Sequence, residues 1–253
     1  MEFGQMNDAL NFFKNNGYLI LDNPLRAAEI ARYCELYDRD RKENSFSWRK
    51  VEYQEHNCDP LVTVPEIDAL IRHPNLTQPI ETLLGGPICM SEVCLRHMAP
   101  YDGPLVRGWH RDGPHALDHP LRTGYLHCMI YLSDVDADSH CFSISPEALD
   151  APILEKERQL ERGGVVDLHG PAGTIALFNM SVLHTMTVRP TTRERKTVQT
   201  YYGLRSGPVL SHHSTIPAKL WRDHPDEEVR GFYGNLNRKT HLFAEAFAKP
   251  DES

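Results

Sequence analysis

The sequence predicts a mainly β protein, either a sandwich or a jelly roll, with α-helices at both ends. Two observations support this fold class. Between residues 88 and 205 the chain consists of short strand-like runs separated by Gly, Pro and Asp turns, without the crossover helices that a parallel sheet needs. Both flanking regions instead contain sequences typical of helix starts. We therefore expect one domain over residues 1–253, with a helical front at 1–87, a jelly-roll core at 88–205 and a helical tail at 216–250.

The helical front is predicted from its capping and turn residues. An amphipathic helix is expected from Asn7-Asp8 to Gly17, because glycine readily adopts the left-handed conformation that ends a helix. A strand follows at residues 18–21. Asn23-Pro24 predicts the start of a second, longer helix, since proline fits the first turn. Residues 63–66 have the pattern of a capping box and predict a third helix.

Alternating runs predict the strands of the core. They occupy residues 88–98, 123–133, 141–145, 165–168, 174–178, 183–188 and 197–202. One inserted helix is expected at residues 153–162, and a helix of the tail is expected to start near Glu227. Helices that cover an outer face would protect the sheet from pairing with other chains.

Composition and charge argue against several classes of function. The chain has 40% hydrophobic and 25% charged residues, as an ordinary globular enzyme does. Its formal net charge of -8 argues against nucleic acid as a partner. The N-terminus has neither a basic start nor an apolar run, so neither a secretory signal nor a membrane span is predicted. We expect a cytoplasmic protein that acts on a small molecule.

Four residues have the chemistry of a non-haem iron site with a carboxylate clamp. His110 and Asp112 are two positions apart, so both side chains would point to the same face of an extended strand. His184, at the end of another apolar run, supplies a second imidazole. Two histidines and one carboxylate leave three positions of an octahedron open, as Fe(II) oxygenases require. Arg195 adds a forked, permanently charged donor for the carboxylate of a bound acid.

A second His-x-Asp triplet shows that the short pattern alone is not specific. With 14 histidines the chain should contain roughly one such triplet by chance. His224 and Asp226 form one, but Pro225 between them indicates a helix start rather than a strand. No suitable histidine and arginine follow it. We therefore assign metal binding and catalysis to His110, Asp112 and His184.

The chain resembles the phytanoyl-CoA dioxygenase family of Fe(II)- and 2-oxoglutarate-dependent oxygenases. The resemblance extends from residues 13–21, through Leu83-Leu84-Gly85, to the strand after Arg195. Its specific part is the combination of the two histidines, the aspartate and the arginine described above. The family implies a double-stranded β-helix, the cupin-like form of the jelly roll, in which inward positions of distant strands converge on one cavity.

The resemblance also implies the cofactors and some residue roles. Fe(II) would be the metal, and 2-oxoglutarate and O2 the co-substrates. Arg195 would hold the distal carboxylate of 2-oxoglutarate, whereas Arg193, closer to a turn, is interpreted as solvated. Two departures from the family are visible: Met186 stands where members often have a hydroxyl residue, and residues 134–146 replace a glycine-rich turn.

Four further residues are candidates for binding the small molecules. Residues 125, 127, 129 and 131 share one strand face, which the family comparison places inward, so His127 is expected beside 2-oxoglutarate. His97 shares a face with apolar residues and is a candidate for the substrate pocket. Arg107 and Arg122 lie in loops that flank the metal motif and are candidates for a substrate carboxylate or phosphate. For each of these four, a purely structural role is the alternative.

The expected function is hydroxylation of an unactivated C–H bond of a small metabolite, with formation of succinate and CO2. Because the chain retains Asp112, which related halogenases lack, the family comparison favours oxygen transfer. One alternative is a cupin-like isomerase or hydrolase that uses zinc or manganese. Another is a non-catalytic module that binds the metal and 2-oxoglutarate. Arg195 argues against the first alternative, because such an enzyme needs no co-substrate clamp.

Overall fold

The computed structural model describes residues 3–21 and 24–247, and in these residues the strands form two antiparallel sheets. The larger sheet has the order β1-β9-β6-β11-β4-β3-β2 and the smaller one β5-β10-β7-β8. The strands of the larger sheet are β1 Tyr18–Leu21, β2 Arg49–Val51, β3 Gln54–Asn57, β4 Ile88–Met98, β6 Tyr125–Tyr131, β9 Ile175–Asn179 and β11 Arg195–Leu204. Those of the smaller sheet are β5 Val106–Arg107, β7 Cys141–Ile144, β8 Val166–Leu168 and β10 His184–Val188. The predicted mainly β jelly roll is confirmed.

Helices lie before, between and after the strands. They are α1 Phe3–Asn16, α2 Ala27–Glu43, α3 Pro60–Thr63, α4 Asp68–Ile71, α5 Pro74–Leu84, α6 Lys156–Gly163, α7 Ala218–Trp221, α8 Glu227–Phe232 and α9 Arg238–Ala246, with 3-10 turns at Ser45–Ser47 and Pro65–Ile67. Helix α5 packs on β4, β6 and β11. The Tyr202 hydroxyl of β11 donates a hydrogen bond to the Ile71 carbonyl at 2.8 Å. The predicted flanking helices are thus present and cover the larger sheet.

Strand β6 is an interior strand of the larger sheet, next to the central strand β11, and is buried along its whole length. It pairs with β9 on one side and β11 on the other, with His127 opposite Phe178 and Tyr201. An apolar run that alternates weakly, such as residues 125–131, is what a strand buried on both faces requires. This burial fixes the register and thereby the direction in which His127 points.

The strand predictions agree closely with the structure, and the helix starts agree less well. Strand β4 has the predicted bounds, whereas β11 begins two residues before the predicted run and so includes Arg195. Gly17 adopts φ 75° between α1 and β1, as expected. Helix α1 nevertheless begins before Asn7, at Phe3.

Two of the predicted helix caps are wrong or fall outside the described residues. Asn23 is not among the described residues, and α2 begins only at Ala27, where the Glu29 carboxylate accepts the backbone N–H of Arg26 at 2.8 Å. Thr63 ends α3 instead of capping a helix. Its hydroxyl accepts a hydrogen bond from the Asn57 side chain at 2.9 Å, and this contact competes with the local capping box.

The β2–β3 hairpin is the main element that the sequence did not predict. Its turn consists of Glu52 and Tyr53, and Glu52 adopts a positive φ of 52°. Strand β2 is exposed at every position, so its residues carry no apolar alternation. The hairpin extends the larger sheet beyond β4 and forms one wall of the cavity described below.

None of the helices in the described part of the chain has the length and apolar character required to span a membrane.

Candidate metal centre

His110 and His184 are brought together by a two-residue antiparallel bridge. The backbone N–H of each donates to the carbonyl of the other at 3.0 Å, and the ring centroids lie 4.5 Å apart. The Nδ1 atoms lie 2.8 Å from the carbonyl oxygens of Gly108 and Val182, respectively. In the neutral tautomer that these contacts favour, Nδ1–H is the donor. The lone pair of each Nε2 is therefore available to a metal ion.

Asp112 faces both of these Nε2 atoms. Its Oδ1 lies 3.4 Å from His110 Nε2 and its Oδ2 lies 3.3 Å from His184 Nε2. The three side chains offer ligand atoms that all lie within 4.8 Å of one another. We call these three residues the metal cluster. Asp112 lies in a bend rather than in a regular strand, and its backbone N–H is held by the Met180 carbonyl at 2.9 Å.

The electrostatics of the metal cluster favour an ionised carboxylate. Desolvation alone would raise the pKa of Asp112, but in the metal-free cluster hydrogen bonds from His110 and His184 in their protonated form outweigh it and hold that pKa below its ordinary value. The hydroxyl of Tyr201 on β11 donates to Asp112 Oδ2 at 2.5 Å. Asp112 is thus oriented by a neighbouring strand, as carboxylate ligands of metal ions usually are.

The metal cluster lines a cavity of about 760 Å³ between the two sheets. His184 is buried whereas His110 is exposed, so the cluster lies at the mouth of this cavity. The other lining residues come from the β2–β3 hairpin, from strands of both sheets and from the segment around β5: Glu52, Tyr53, Gln54, Arg96, Val106, Gly108, His127, Phe142, Thr185, Met186, Val188, Arg195, Gln199 and Tyr201. A cavity of this size has room for a co-substrate and a small substrate together.

Arg195 lies in the same cavity, and its charge has no partner within residues 3–21 and 24–247. Its side chain is 2% exposed, and neither Nε nor Nη1 has a hydrogen-bond acceptor among the described residues. Burial lowers the pKa of Arg195, but a guanidinium stays charged at any physiological pH. A buried, unpaired charge is costly unless a ligand of opposite charge completes the site. The residue therefore fits the carboxylate of a bound acid.

His127 lies beside the metal cluster, as expected from strand parity. Its Nδ1 is 4.0 Å from Asp112 Oδ2, and its ring stacks on Tyr201 with centroids 4.2 Å apart. Both ring nitrogens are buried without a partner. Burial lowers the pKa of His127 to about 3, so the ring is neutral and has one donor and one acceptor to offer.

Three predicted substrate residues lie outside this cavity. His97 points to the opposite face of β4, where its Nε2 lies 2.9 Å from Glu194 Oε2. Arg107 binds Asp167 at 3.0 Å. Arg122 donates to the Ala151 carbonyl at 2.8 Å. Internal partners contact each of these three side chains, and none of the three lines the cavity of the metal cluster, so a role in substrate binding stays a prediction that the geometry does not support.

The decoy triplet has the structural role that its proline indicated. Asp226 is the N-cap of α8, and its side chain accepts the backbone N–H of Glu228 at 2.9 Å. Arg193 is 43% exposed and pairs with Asp136, which agrees with its interpretation as a surface arginine.

Arg96, Tyr201 and Gln54 also line the cavity, although the sequence predictions did not include them. On β4 the even-numbered positions face inward, so the strand presents Arg96 to the cavity rather than His97. A charged residue in a strand that is otherwise buried was the available signal for Arg96. Tyr201 follows Arg195 and Gln199 at even spacing on β11, and the same parity argument identifies it.

Comparison with known proteins identifies a family and a shared fold. The family model described as phytanoyl-CoA dioxygenase (PhyH) matches residues 13–196, which is more than half of the chain. No protein with curated annotation matches the chain by sequence.

Solved structures similar to this chain include three whose descriptions name 2-oxoglutarate or its synonym. The epimerase SnoN, in complex with Fe3+, alpha ketoglutarate and nogalamycin RO, is 14% identical, with a TM-score of 0.71 over 82% of this chain and 87% of that one. EctD from S. alaskensis, with 2-oxoglutarate and 5-hydroxyectoine, is 16% identical, with a TM-score of 0.67 over 83% and 78%. HygX from Streptomyces hygroscopicus, with nickel, 2-oxoglutarate and hygromycin B, is 17% identical, with a TM-score of 0.60 over 78% and 86%. At these identities the likeness shows a common fold.

Proposed function

Since the chain belongs to the phytanoyl-CoA dioxygenase family, we propose that it is an Fe(II)- and 2-oxoglutarate-dependent oxygenase that hydroxylates an unactivated C–H bond of a small molecule. The observation that carries this proposal is the position of Arg195. A buried guanidinium with unpartnered donors shares one cavity with two imidazoles and a carboxylate of metal-binding geometry. Both halves of a site for a metal-chelating dicarboxylate are thus present in one cavity.

In this proposal His110, Asp112 and His184 hold the metal through their Nε2 and carboxylate atoms. Fe(II) together with 2-oxoglutarate and O2 supplies, when bound, the oxidising power that breaks the C–H bond, with succinate and CO2 as by-products. The three protein ligands fit this metal, because two histidines and one carboxylate leave open positions for a chelating acid and for O2.

The residues around the metal cluster would orient the bound molecules. Arg195 would bind the distal carboxylate of 2-oxoglutarate through two parallel hydrogen bonds. His127, which is neutral and unpartnered, would donate a hydrogen bond to an oxygen of the same molecule. Tyr201 would hold Asp112 in the orientation in which one carboxylate oxygen faces the metal. The aromatic ring of Phe142, stacked on the His184 ring with centroids 5.2 Å apart, would exclude water from one side.

Within the proposed oxygenase class, hydroxylation is the reaction outcome that we propose. One of the similar solved structures is described as an epimerase, so the same fold serves more than one reaction outcome. Asp112 supports oxygen transfer, because the carboxylate keeps a halide from taking its place at the metal.

The test is a turnover assay with a library of small metabolites. The purified protein, Fe(II), 2-oxoglutarate and isotopically labelled O2 are incubated with each compound, and succinate and the product mass are measured. We expect a substrate that stimulates succinate release and acquires the label. Stimulated succinate release with an unlabelled product would contradict hydroxylation but not the oxygenase class. Activity that persists with zinc and without 2-oxoglutarate would contradict the whole proposal.

A further inference from the structure

Arg96 is a second arginine of the cavity, and its guanidinium makes no ion pair or hydrogen bond within the part of the chain that the structure describes. No carboxylate of the described residues pairs with it, and its Nε is buried without an acceptor. Arg195 shares this property, whereas Arg107 and Arg111, which lie outside the cavity, bind Asp167 and Glu147, respectively. A guanidinium that lacks an acceptor is costly to bury, so the site of Arg96 is complete only with an anion.

Arg96 and Arg195 are neighbours on one face of the larger sheet, where Arg96 lies opposite Thr197 and Arg195 lies opposite Met98. The two guanidinium charges repel each other, and the charge of Arg96 contributes to the lowered pKa of Arg195. Arg96 lines the same cavity as Tyr201, the tyrosine that donates a hydrogen bond to Asp112. The charge of Arg96 therefore acts in the space beside the metal cluster.

The formal charges of the loaded site leave Arg96 unbalanced. A divalent metal, the Asp112 carboxylate, the two carboxylates of 2-oxoglutarate and the Arg195 guanidinium sum to zero. Arg96 adds one positive charge. Glu92, the acid nearest on the same strand, already accepts hydrogen bonds from Ser211 and His213, and Glu52 is exposed at the hairpin. An anionic group of a second ligand would therefore balance the charge of Arg96.

Gln54 adds a neutral polar group to the same wall. It lies on β3, next to β4, and its Oε1 is buried without a donor. Two residues further along β3, His56 lies opposite Arg96, and its Nδ1 is also buried without a partner among the described residues. Unpartnered polar atoms thus cluster where the hairpin meets β4. Such a cluster suits a ligand that brings both an anionic group and a hydrogen-bond donor.

We propose that Arg96 binds a carboxylate or phosphate group of the primary substrate, with the Gln54 side chain contacting a polar group of the same molecule. This inference rests on the proposed function, and it narrows the substrate class to small molecules with one anionic group. Because Arg96 lies near Tyr201, the anionic group would be anchored close to the metal cluster, and a carbon adjacent to it would be the position oxidised.

The test compares a charged probe with its neutral analogue. Binding of benzoate and of benzamide is measured by calorimetry to protein loaded anaerobically with Fe(II) and 2-oxoglutarate, with phenyl phosphate as a second anion. We expect wild type to prefer one of the anions over benzamide by about tenfold or more. Arg96→Gln should lose that preference, whereas Arg193→Gln, at an exposed ion pair, should retain it. Equal binding of all three probes to wild type would overturn the proposal.

Three further measurements separate this inference from its premises. If Arg96→Gln weakens 2-oxoglutarate binding as strongly as Arg195→Leu does, Arg96 serves the co-substrate and the inference is wrong. If wild type fails to bind 2-oxoglutarate with Fe(II) at all, the proposed function itself fails. If Arg96→Gln does not fold, Arg96→Lys is the alternative variant, because lysine keeps the positive charge but lacks the two parallel N–H donors of a guanidinium. For Arg96→Lys we expect several-fold weaker anion binding and unchanged benzamide binding.

Discussion

Arg195 offers the sharpest test of co-substrate binding, through the variant Arg195→Leu. The wild-type side chain is 2% exposed and has donors without acceptors in the described structure. Leucine fills similar volume but leaves a ligand carboxylate without its two charge-assisted hydrogen bonds. Such a loss typically costs roughly 2 to 5 kcal/mol, part of which is the desolvation of the unpaired carboxylate. The lower bound corresponds to a roughly 30-fold weaker affinity.

The assay for Arg195→Leu is an anaerobic titration of iron-loaded protein with 2-oxoglutarate. Iron itself should still bind, because Arg195 is not part of the metal cluster. The matched control is Arg193→Leu, which removes an exposed arginine paired with Asp136 and should change the affinity only slightly. If Arg193→Leu proves more damaging than Arg195→Leu, the assignment of the inward arginine on β11 is wrong.

Three further predictions address the metal cluster and the stability of the fold. Substitution of any residue of the metal cluster by alanine should abolish iron binding, measured by metal analysis, and succinate release. The control variant Asp226→Ala should keep both and should only lower the free energy of unfolding by about 1 kcal/mol, because α8 loses its N-cap. Tyr201→Phe should weaken iron binding by about tenfold without loss of fold, because Asp112 loses its orienting donor; unchanged affinity in a competition with a chelator would contradict this role. Burial raises the pKa of Asp167, but hydrogen bonds from Ser143 and Arg189 lower it more. The ionised Asp167 carboxylate should therefore stabilise the folded wild type, and this contribution to the free energy of unfolding should be lost as the pH falls through the folded pKa of Asp167. The difference in the free energy of unfolding between wild type and Asp167→Asn, measured in urea, should narrow between about pH 5 and pH 2. A difference that widens on acidification would contradict this prediction.

The strands of the core were predictable because burial imposes a period on them. Strand β4 has the predicted bounds, and His127 faces the cavity as its parity indicated. The β2–β3 hairpin was not predictable, because its exposed, charged residues carry no apolar period. Hairpins of this kind are held by pairing with a neighbouring strand, which a local pattern does not contain.

The metal cluster was predictable from residue chemistry, whereas the residues around it depended on which face of each strand is inward. His97 was a candidate for the substrate pocket, but the β4 residue that lines the cavity of the metal cluster is its neighbour Arg96. Arg107 and Arg122 were chosen for their charge, but a sequence does not show that Asp167 or a backbone carbonyl will satisfy them. Tertiary partners decided each of these cases.

The most direct test of the central claim is the visible spectrum of the wild-type protein under anaerobic conditions. Fe(II) and 2-oxoglutarate are added in turn, and the absorbance is recorded after each addition. We predict a weak metal-to-ligand charge-transfer band that appears only when both are present, is lost in variants of the metal cluster and requires more 2-oxoglutarate in Arg195→Leu. A wild-type protein that binds Fe(II) but develops no band at saturating 2-oxoglutarate would contradict the account.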